Sequence, residues 1–513
     1  MINGAPVNVL DFGAVGNGST DDSAAMLAAN TASFNVNYPA GQYYVNTNIT
    51  LTSSITMQPG ASFLVASGKT LTINGAVYAG SRQYIFNGAS GAVAGTFGNV
   101  ALWADWFGAI PDSSISATPT GTDSGIPINK AILAATNTGA KKGVVLLNSG
   151  VYLIATGIVS NYAGIVIQGT GKYNTNFTCS SGFTGYVMTM AGAGGPPNNV
   201  KGIGFVSAVG GSYSGGGLDV FANGTFTSDI WVSGFAVGML IRNTDCFLTD
   251  FAIELNLTGL KITSPNVNVS HGTTYANQAF GVLVADVLTN EPGAVTLSGI
   301  RSTSEPATGF NVTNSSYVIF NACSAASNVN TDYTVSGFLV DGTSTNIQIN
   351  NCTAVLKVQS TTGIGFKING APGNIAITNC RAEKFNKGVY VNTTGNATIT
   401  SGQFLTNALY GIHSDAYNFL IVSNNQCDYE GTAAGADAGI FITANTAAQR
   451  LLCNGNICGS TGGGTQEYGI RVTCTNATSY GIVSNNVTPF NSVGGVVIDG
   501  ANLANITISN NIN

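Results

Sequence analysis

The chain has 513 residues, of which 8% are charged where about 25% is usual, and 67 are glycine. Mean hydropathy is +0.24 and 44% of residues are hydrophobic, which excludes a disordered chain, since disorder needs low hydrophobicity and high charge. With 17 Lys+Arg against 23 Asp+Glu there is no basic excess to neutralise a row of phosphates, so the composition argues against nucleic-acid binding.

At the start, Met1-Ile2-Asn3-Gly4-Ala5-Pro6 has neither the charged nor the apolar region of a secretory signal. Val7 to Ala25 reads as a strand, a glycine turn and a capped helix. Thr20 is the expected N-cap, and Asp21 and Asp22 favour the positive end of the helix carrying Met26 and Leu27. The adjacent aspartates therefore read as capping groups rather than as a catalytic pair. A weaker copy begins at Asp105-Trp106-Phe107-Gly108-Ala109, continues through Thr122-Asp123-Ser124 and enters a second helix at Pro127 to Ala135. Residues 1–100 are expected to form a short front module and 101–513 the main body. The longest apolar stretch, Gly143 to Gly169, is broken by Asn148, Ser149, Ser160 and Asn161, so no membrane span is expected.

A repeat then runs through the last three hundred residues: glycine, apolar, any, apolar, a polar break, and alternating apolar residues ending at an asparagine turn. Its glycines include Gly217, Gly238, Gly259, Gly281, Gly309, Gly337, Gly365, Gly388, Gly411, Gly439, Gly469 and Gly495. A variable period with constant strand signatures predicts an all-β fold, a parallel β-helix (solenoid) with short N-terminal capping helices, whose loops lengthen without disturbing the stack. Cys323, Cys352 and Cys380 hold one place in successive rungs and are read as an inward ladder of small apolar side chains. Asn351, Asn379, Asn424, Asn485 and Asn510 are read as a turn ladder satisfying backbone groups. The nine cysteines, an odd number without a CxxC pair, are expected to be thiols of a chain made in a reducing cytosol, with no metal site.

Acidic residues are scarce, so their clustering is informative. Asp229, Asp250 and His271 are spaced by 21 and 21, the spacing of the neighbouring glycines, which places them in one column on successive rungs. Glycosidic hydrolysis usually needs two carboxyl groups, one protonated and one ionised. Asp229, Asp250 and Glu254 are therefore the candidate catalytic groups, and Trp231, His271 and Arg301 the candidate substrate contacts. The same column holds Asn351 and Asn379 later, so a purely structural turn ladder is the competing reading. Cation binding is a third: stacked aspartates can hold Ca²⁺ beside a uronate while Arg242, Lys261 or Arg301 removes a proton. Otherwise no cofactor is expected. Glu291, Arg301 and Glu305, and likewise Arg381, Glu383 and Lys384, read as solvated ion-pairing loops. Asp428, Glu430 and Glu467 fall in the late loops, where a saccharide groove can form, and His413 reads as structural.

The string from Val9 to Ala25 resembles the Asp-Phe-Gly-Ala opening of the pectate-lyase-like right-handed parallel β-helix superfamily, which implies a right-handed coil. The doubled opening around Trp106-Phe107-Gly108-Ala109, preceded by Gly68 to Gly75, resembles bacteriophage tailspikes. That resemblance covers roughly residues 7 to 170. It implies a homotrimeric protein of the virion tail, made in the host cytoplasm, that binds and often depolymerises a bacterial surface polysaccharide, capsule or lipopolysaccharide O-antigen, without membrane insertion. The second opening has Ser124 where the first has Asp22, and the polygalacturonase aspartates are missing. No anchoring segment is seen before Asp11 and no trimerisation segment after Asn513. Either a phage tail or adaptor protein and partner chains supply those functions, or the chain is a trimmed piece. The leading expectation is a tailspike depolymerase acting by hydrolysis; the alternatives are a non-catalytic receptor-binding or structural spike and a polysaccharide lyase acting on a uronate-containing glycan.

Overall fold

The computed structural model describes residues 6–87, 91–99, 101–137, 139–140, 142–179, 183–192, 194–207, 214–287, 293–327, 336–370, 373–428, 438–459, 466–500, 502 and 505–513; Met1–Ala5, Glu291 and Glu430 lie outside them. The protein is an all-β parallel solenoid with, among the described residues, two α-helices, Ser23–Ala32 and Gly125–Thr136. Two compact units divide the chain, Met1–Phe235 and Ala236–Asn513.

In the first unit, residues 7–94 form three small sheets of parallel strands around Tyr38, Tyr43 and Phe63, which are fully buried and meet edge to face at 5.2 and 5.0 Å. Longer sheets begin at Leu102–Trp103 and Ile158–Ser160. Both helices start on the same device, which differs from the expected Thr20 cap. Thr20 lies in the strand Asn17–Asp21, and the helix begins at Ser23 because Asp21 Oδ1 accepts the Ser23 N–H at 3.0 Å, an Asx turn. Asp22 instead accepts the N–H groups of Val15, Gly16 and Tyr44 at 2.6, 3.3 and 3.1 Å, tying the glycine turn to the next strand. In the second opening Asp123 accepts from Gly125, Ala155 and Thr156, as Asp21 does from Ser23, and the Ser124 hydroxyl bonds the backbone of Ile110 in the place of Asp22. The aspartates are thus structural.

In the second unit each coil has one strand in a second sheet, then two arms in a longer sheet that meet at a corner. The repeat glycines occupy the second-sheet strands, and close stacking of the coils explains them: a Cβ on Gly365 would lie 2.6 Å from the Gly388 carbonyl oxygen, and one on Gly411 2.7 Å from that of Gly439. The residue after each glycine points inward, and Phe310, Phe338 and Phe366 stack there at 4.7 and 5.0 Å.

The corner itself is left-handed. Asp250, His271, Asn351, Asn379, Asn424, Asn485 and Asn510 all have φ between 50 and 56°, a region that asparagine and aspartate tolerate better than most side chains. The next residue turns inward. In the middle coils it is Cys323, Cys352 and Cys380, each buried, with the N–H of Cys323 and of Cys352 reaching the following sulfur at 3.4 Å. Toward the C-terminus it is Asn425, Asn456, Asn486 and Asn511, whose side-chain oxygens each accept the N–H of the preceding coil's residue at 2.9–3.0 Å. The ladder that satisfies backbone groups is therefore built from the residues beside the expected asparagines, because an amide must face inward to bridge two coils. All nine cysteines are free and buried, and no helix is long and apolar enough to cross a membrane among the described residues.

Candidate functional site

Of the residues selected from the sequence, Asp229, Asp250 and His271 have the left-handed corner conformation; Trp231, Glu254 and Arg301 do not. In the first unit Asp229 has φ 53° and is held by a projecting loop: the Lys172 N–H donates to Oδ2 at 3.3 Å and the Lys172 ammonium lies 3.8 Å from Oδ1. Beside it the Tyr173 ring, 61% exposed, meets Trp231 at 5.4 Å. In the second unit Asp250 and His271 take successive corner positions, since Thr249 pairs with Ser270 and Phe251 with Gly272, and both are exposed. The following corner is Gly299, and Arg301, two residues on, is exposed opposite Thr273. Glu254 is half-buried at the end of the Asp250 strand, four residues or about 13 Å along it at about 3.3 Å per residue. That exceeds the roughly 5 to 9.5 Å between paired carboxyls of glycosidases. Asp and His recur in this column because the backbone there is left-handed, the same reason that asparagine fills it later.

Two cluster readings change. Glu305 is 2% exposed, not on a solvated loop. It ends an interior ladder: Asn277 donates its N–H to Oε2 and its side-chain amide to Oε1 at 3.2 Å, Ser302 donates to Oε1 at 3.3 Å, and Asn277 in turn accepts from Asn256 at 3.0 Å. Burial pushes its pKa up to about 7, against the opposing pull of these hydrogen bonds. Asp428 is buried in the strand Gln426–Asp428 rather than in a loop. Arg381 and Glu383 do form the expected ion pair.

A different assembly lies on the outward face of the second sheet in the second unit. The strands Lys387–Asn392, Tyr410–Ala416, Ala438–Ala444, Tyr468–Cys474 and Gly494–Asp499 pair in that order. Their register stacks Tyr390, His413, Phe441 and Arg471 in one outward column, and Lys387, Tyr410 and Tyr468 belong to the next. The His413 ring lies 5.3, 4.7 and 5.2 Å from those of Tyr390, Tyr410 and Phe441. The Lys387 ammonium sits 4.3 Å from the Tyr390 ring centre, and the Arg471 guanidinium 5.1 Å from that of Tyr468. Pairing slips at Asp415, an extra residue between Ser414 and Ala416, and this bulge turns its carboxylate onto the face. The Tyr390 hydroxyl donates to Asp415 Oδ2 at 2.7 Å and His413 Nε2 lies 3.0 Å from Oδ1. Arg471 donates twice to Asp499 Oδ2, at 2.9 and 2.8 Å, and Thr473 to Oδ1 at 2.6 Å.

Burial, reinforced by the positive Lys387, pushes His413 down to about 4, so the imidazole is neutral at pH 7. Burial and the bond to Asp415 push Tyr390 up to about 12, so the phenol keeps its proton. Asp499 is raised by burial but more strongly lowered by Thr473 and Arg471, and ends below the usual carboxylate range. The result is a half-buried aromatic floor bordered by a carboxylate, a phenol, a guanidinium and an ammonium. Pyranose rings lay their C–H faces on such rings and bond their hydroxyls to such borders. Sequence reasoning passed over these residues although the repeat contained the signal: they are the position two after the repeat glycine and the one before it, both outward-facing.

A family model described as Rhamnogalacturonase A/epimerase, pectate lyase-like, matches residues 6–96. No curated protein sequence matches. Solved structures of similar fold include the A-module of an Azotobacter vinelandii mannuronan C-5 epimerase (TM-score 0.47, 15% identity, 80% of this chain and 98% of that one). They also include an Acinetobacter phage tailspike (0.33, 13%, 79% and 63%) and the pectate lyase Pel9A (0.35, 15%, 57% and 72%). The chain is a parallel β-solenoid whose front, residues 6–96, matches the pectate-lyase-like family.

Proposed function

We propose that the protein binds a bacterial surface polysaccharide along the outward face around His413, as a tailspike of the phage virion tail, and hydrolyses the bound chain. The observation that carries the reading is the aromatic floor of Tyr390, Tyr410, Phe441 and Tyr468 with Asp415, Asp499, Lys387 and Arg471 at its border. Asp415 of this face and Asp250 of the corner column are the carboxylates proposed for cleavage, each without Glu254, which stands too far along its strand to pair with Asp250; Trp231, His271 and Arg301 are further substrate contacts. Asp229 has a positioning role, since Lys172 engages it.

Non-catalytic receptor binding is the second reading, and one observation favours it. Asp499 pairs with Thr473, Thr473 with Thr443, and Ser414, just before Asp415, with Ile442. Three strand steps thus separate Asp415 from Asp499, about 14 Å at about 4.8 Å per step, too far for a two-carboxylate pair. The test is a panel of purified capsular and O-antigen polysaccharides, read for binding and for reducing ends. Release lost in Asp415→Asn places cleavage on the aromatic face; release lost in Asp250→Asn places it at the corner. Binding without release, abolished by Tyr410→Ala, establishes a receptor-binding protein, and ultraviolet absorbance of an unsaturated uronate replaces hydrolysis by lyase chemistry. No binding to any surface glycan overturns the proposal. Light scattering tests the homotrimer.

A further inference from the structure

Lys367, on the strand Ile364–Asn369, and Lys387 extend the aromatic face by one strand. Ile364 pairs with Lys387 and Lys367 with Tyr390, so the two lysines stand on adjacent strands and point to the same outward side. Both are half-buried. Arg471 holds Asp499 through two hydrogen bonds, and Asp415 accepts the Tyr390 hydroxyl at one oxygen, with the neutral His413 Nε2 3.0 Å from the other. The lysines make no ion pair among the described residues. Lys387 feels Asp415 at longer range, and its contacts are with the Tyr390 ring at 4.3 Å and the Tyr410 ring at 5.9 Å.

We propose, building on the polysaccharide reading, that Lys367 and Lys387 form a subsite for the anionic substituent of an acidic sugar whose ring lies on Tyr390 and Tyr410. A half-buried cation loses hydration that a ring face and a more distant carboxylate recover only in part, so an anion that meets it directly is favoured. Two such cations side by side repel each other, and burial together with Lys367 holds the Lys387 pKa below the usual lysine range, with Asp415 opposing. An incoming carboxylate or sulfate relieves both effects and gains charge-assisted hydrogen bonds. The chain as a whole carries a formal charge of −6, so the pair is not part of a generally basic surface, and the local cations must overcome a repulsive background.

The experiment uses the full chain in affinity electrophoresis at low salt with four probes: polygalacturonate, dextran sulfate, neutral dextran and sodium sulfate. The expected result is retardation by an acidic polymer well beyond that by dextran, weakened about tenfold or more in the Lys367→Gln/Lys387→Gln double variant. Polygalacturonate as the stronger polymer identifies a carboxylate ligand and dextran sulfate a sulfate ester; competition by sodium sulfate alone at equal charge identifies a free anion. Acidic polymers that bind no better than dextran, or that bind the double variant as they bind the wild type, overturn the subsite. If a surface glycan is still held and Tyr410→Ala releases it while the lysine variant does not, the subsite fails and the polysaccharide reading stands. If no polymer and no surface glycan binds, both fail. Equal melting temperatures of variant and wild type keep a folding defect out of the comparison.

Discussion

Replacing Glu305 by glutamine should stabilise the protein at alkaline pH and leave it nearly unchanged in acid. The carboxyl is 2% exposed and its folded pKa is pushed up to about 7 from an ordinary 4.5. Because the folded value is raised, the folded state prefers the protonated acid. The favourable contribution is complete below pH 4.5 and is lost as pH rises through 7. The difference of 2.5 units (7 − 4.5) corresponds to a penalty of about 3 kcal/mol above pH 7, to order of magnitude. Glutamine removes the charge and, like the protonated acid, keeps one full acceptor: with its oxygen on the Asn277 N–H, its own amide lies where Ser302 and the Asn277 amide meet the other carboxylate oxygen, so it donates to Ser302 and gives up the Asn277 amide bond. Melting curves of both proteins from pH 4 to 8.5 should converge at the acid end and separate through the 4.5–7 window, with the variant higher. Parallel curves would refute the reasoning, as would a variant less stable at pH 8, which would show that the hydrogen bonds of the ionised group outweigh its burial.

Gly365→Ala places a Cβ 2.6 Å from the Gly388 carbonyl oxygen and from the Ala382 side chain, so urea denaturation should show a loss of about 1–3 kcal/mol. Asn456→Ala strips the acceptor from the Asn425 N–H and side-chain amide, and the donor from the Val422 carbonyl, at a buried site; the unfolding free energy from urea denaturation should fall by about 3 kcal/mol. At the corner, Asp250→Asn should melt with the wild type, whereas Asp250→Val forces a β-branched side chain to φ 50° and should lose about 1–2 kcal/mol. Equal stability of the two would show that the corner does not depend on the left-handed preference of its residue.

Much of this was legible in the chain. The repeat glycines and the alternating strands predicted the parallel solenoid, and the 29- and 28-residue spacing of Cys323, Cys352 and Cys380 predicted an inward ladder, because inside and outside alternate with a fixed period once a coil repeats. The same spacing drew attention to Asp229, Asp250 and His271, whose common property is a left-handed corner, and a corner selects Asp, Asn and Gly without regard to chemistry.

What the sequence by itself determined is the coil: its period, its inward apolar positions and its close-packed glycines, all set by contacts between identical positions of neighbouring turns. Only the tertiary structure decided which outward residues meet. Tyr390, His413, Phe441 and Arg471 are 23, 28 and 30 residues apart in sequence (413 − 390, 441 − 413, 471 − 441), and loops of unequal length hide that they share one column. A single bulge turned Asp415 onto their face. Burial of Glu305 likewise followed from its meeting Asn277, 28 residues away, across a coil-to-coil contact that no local pattern records.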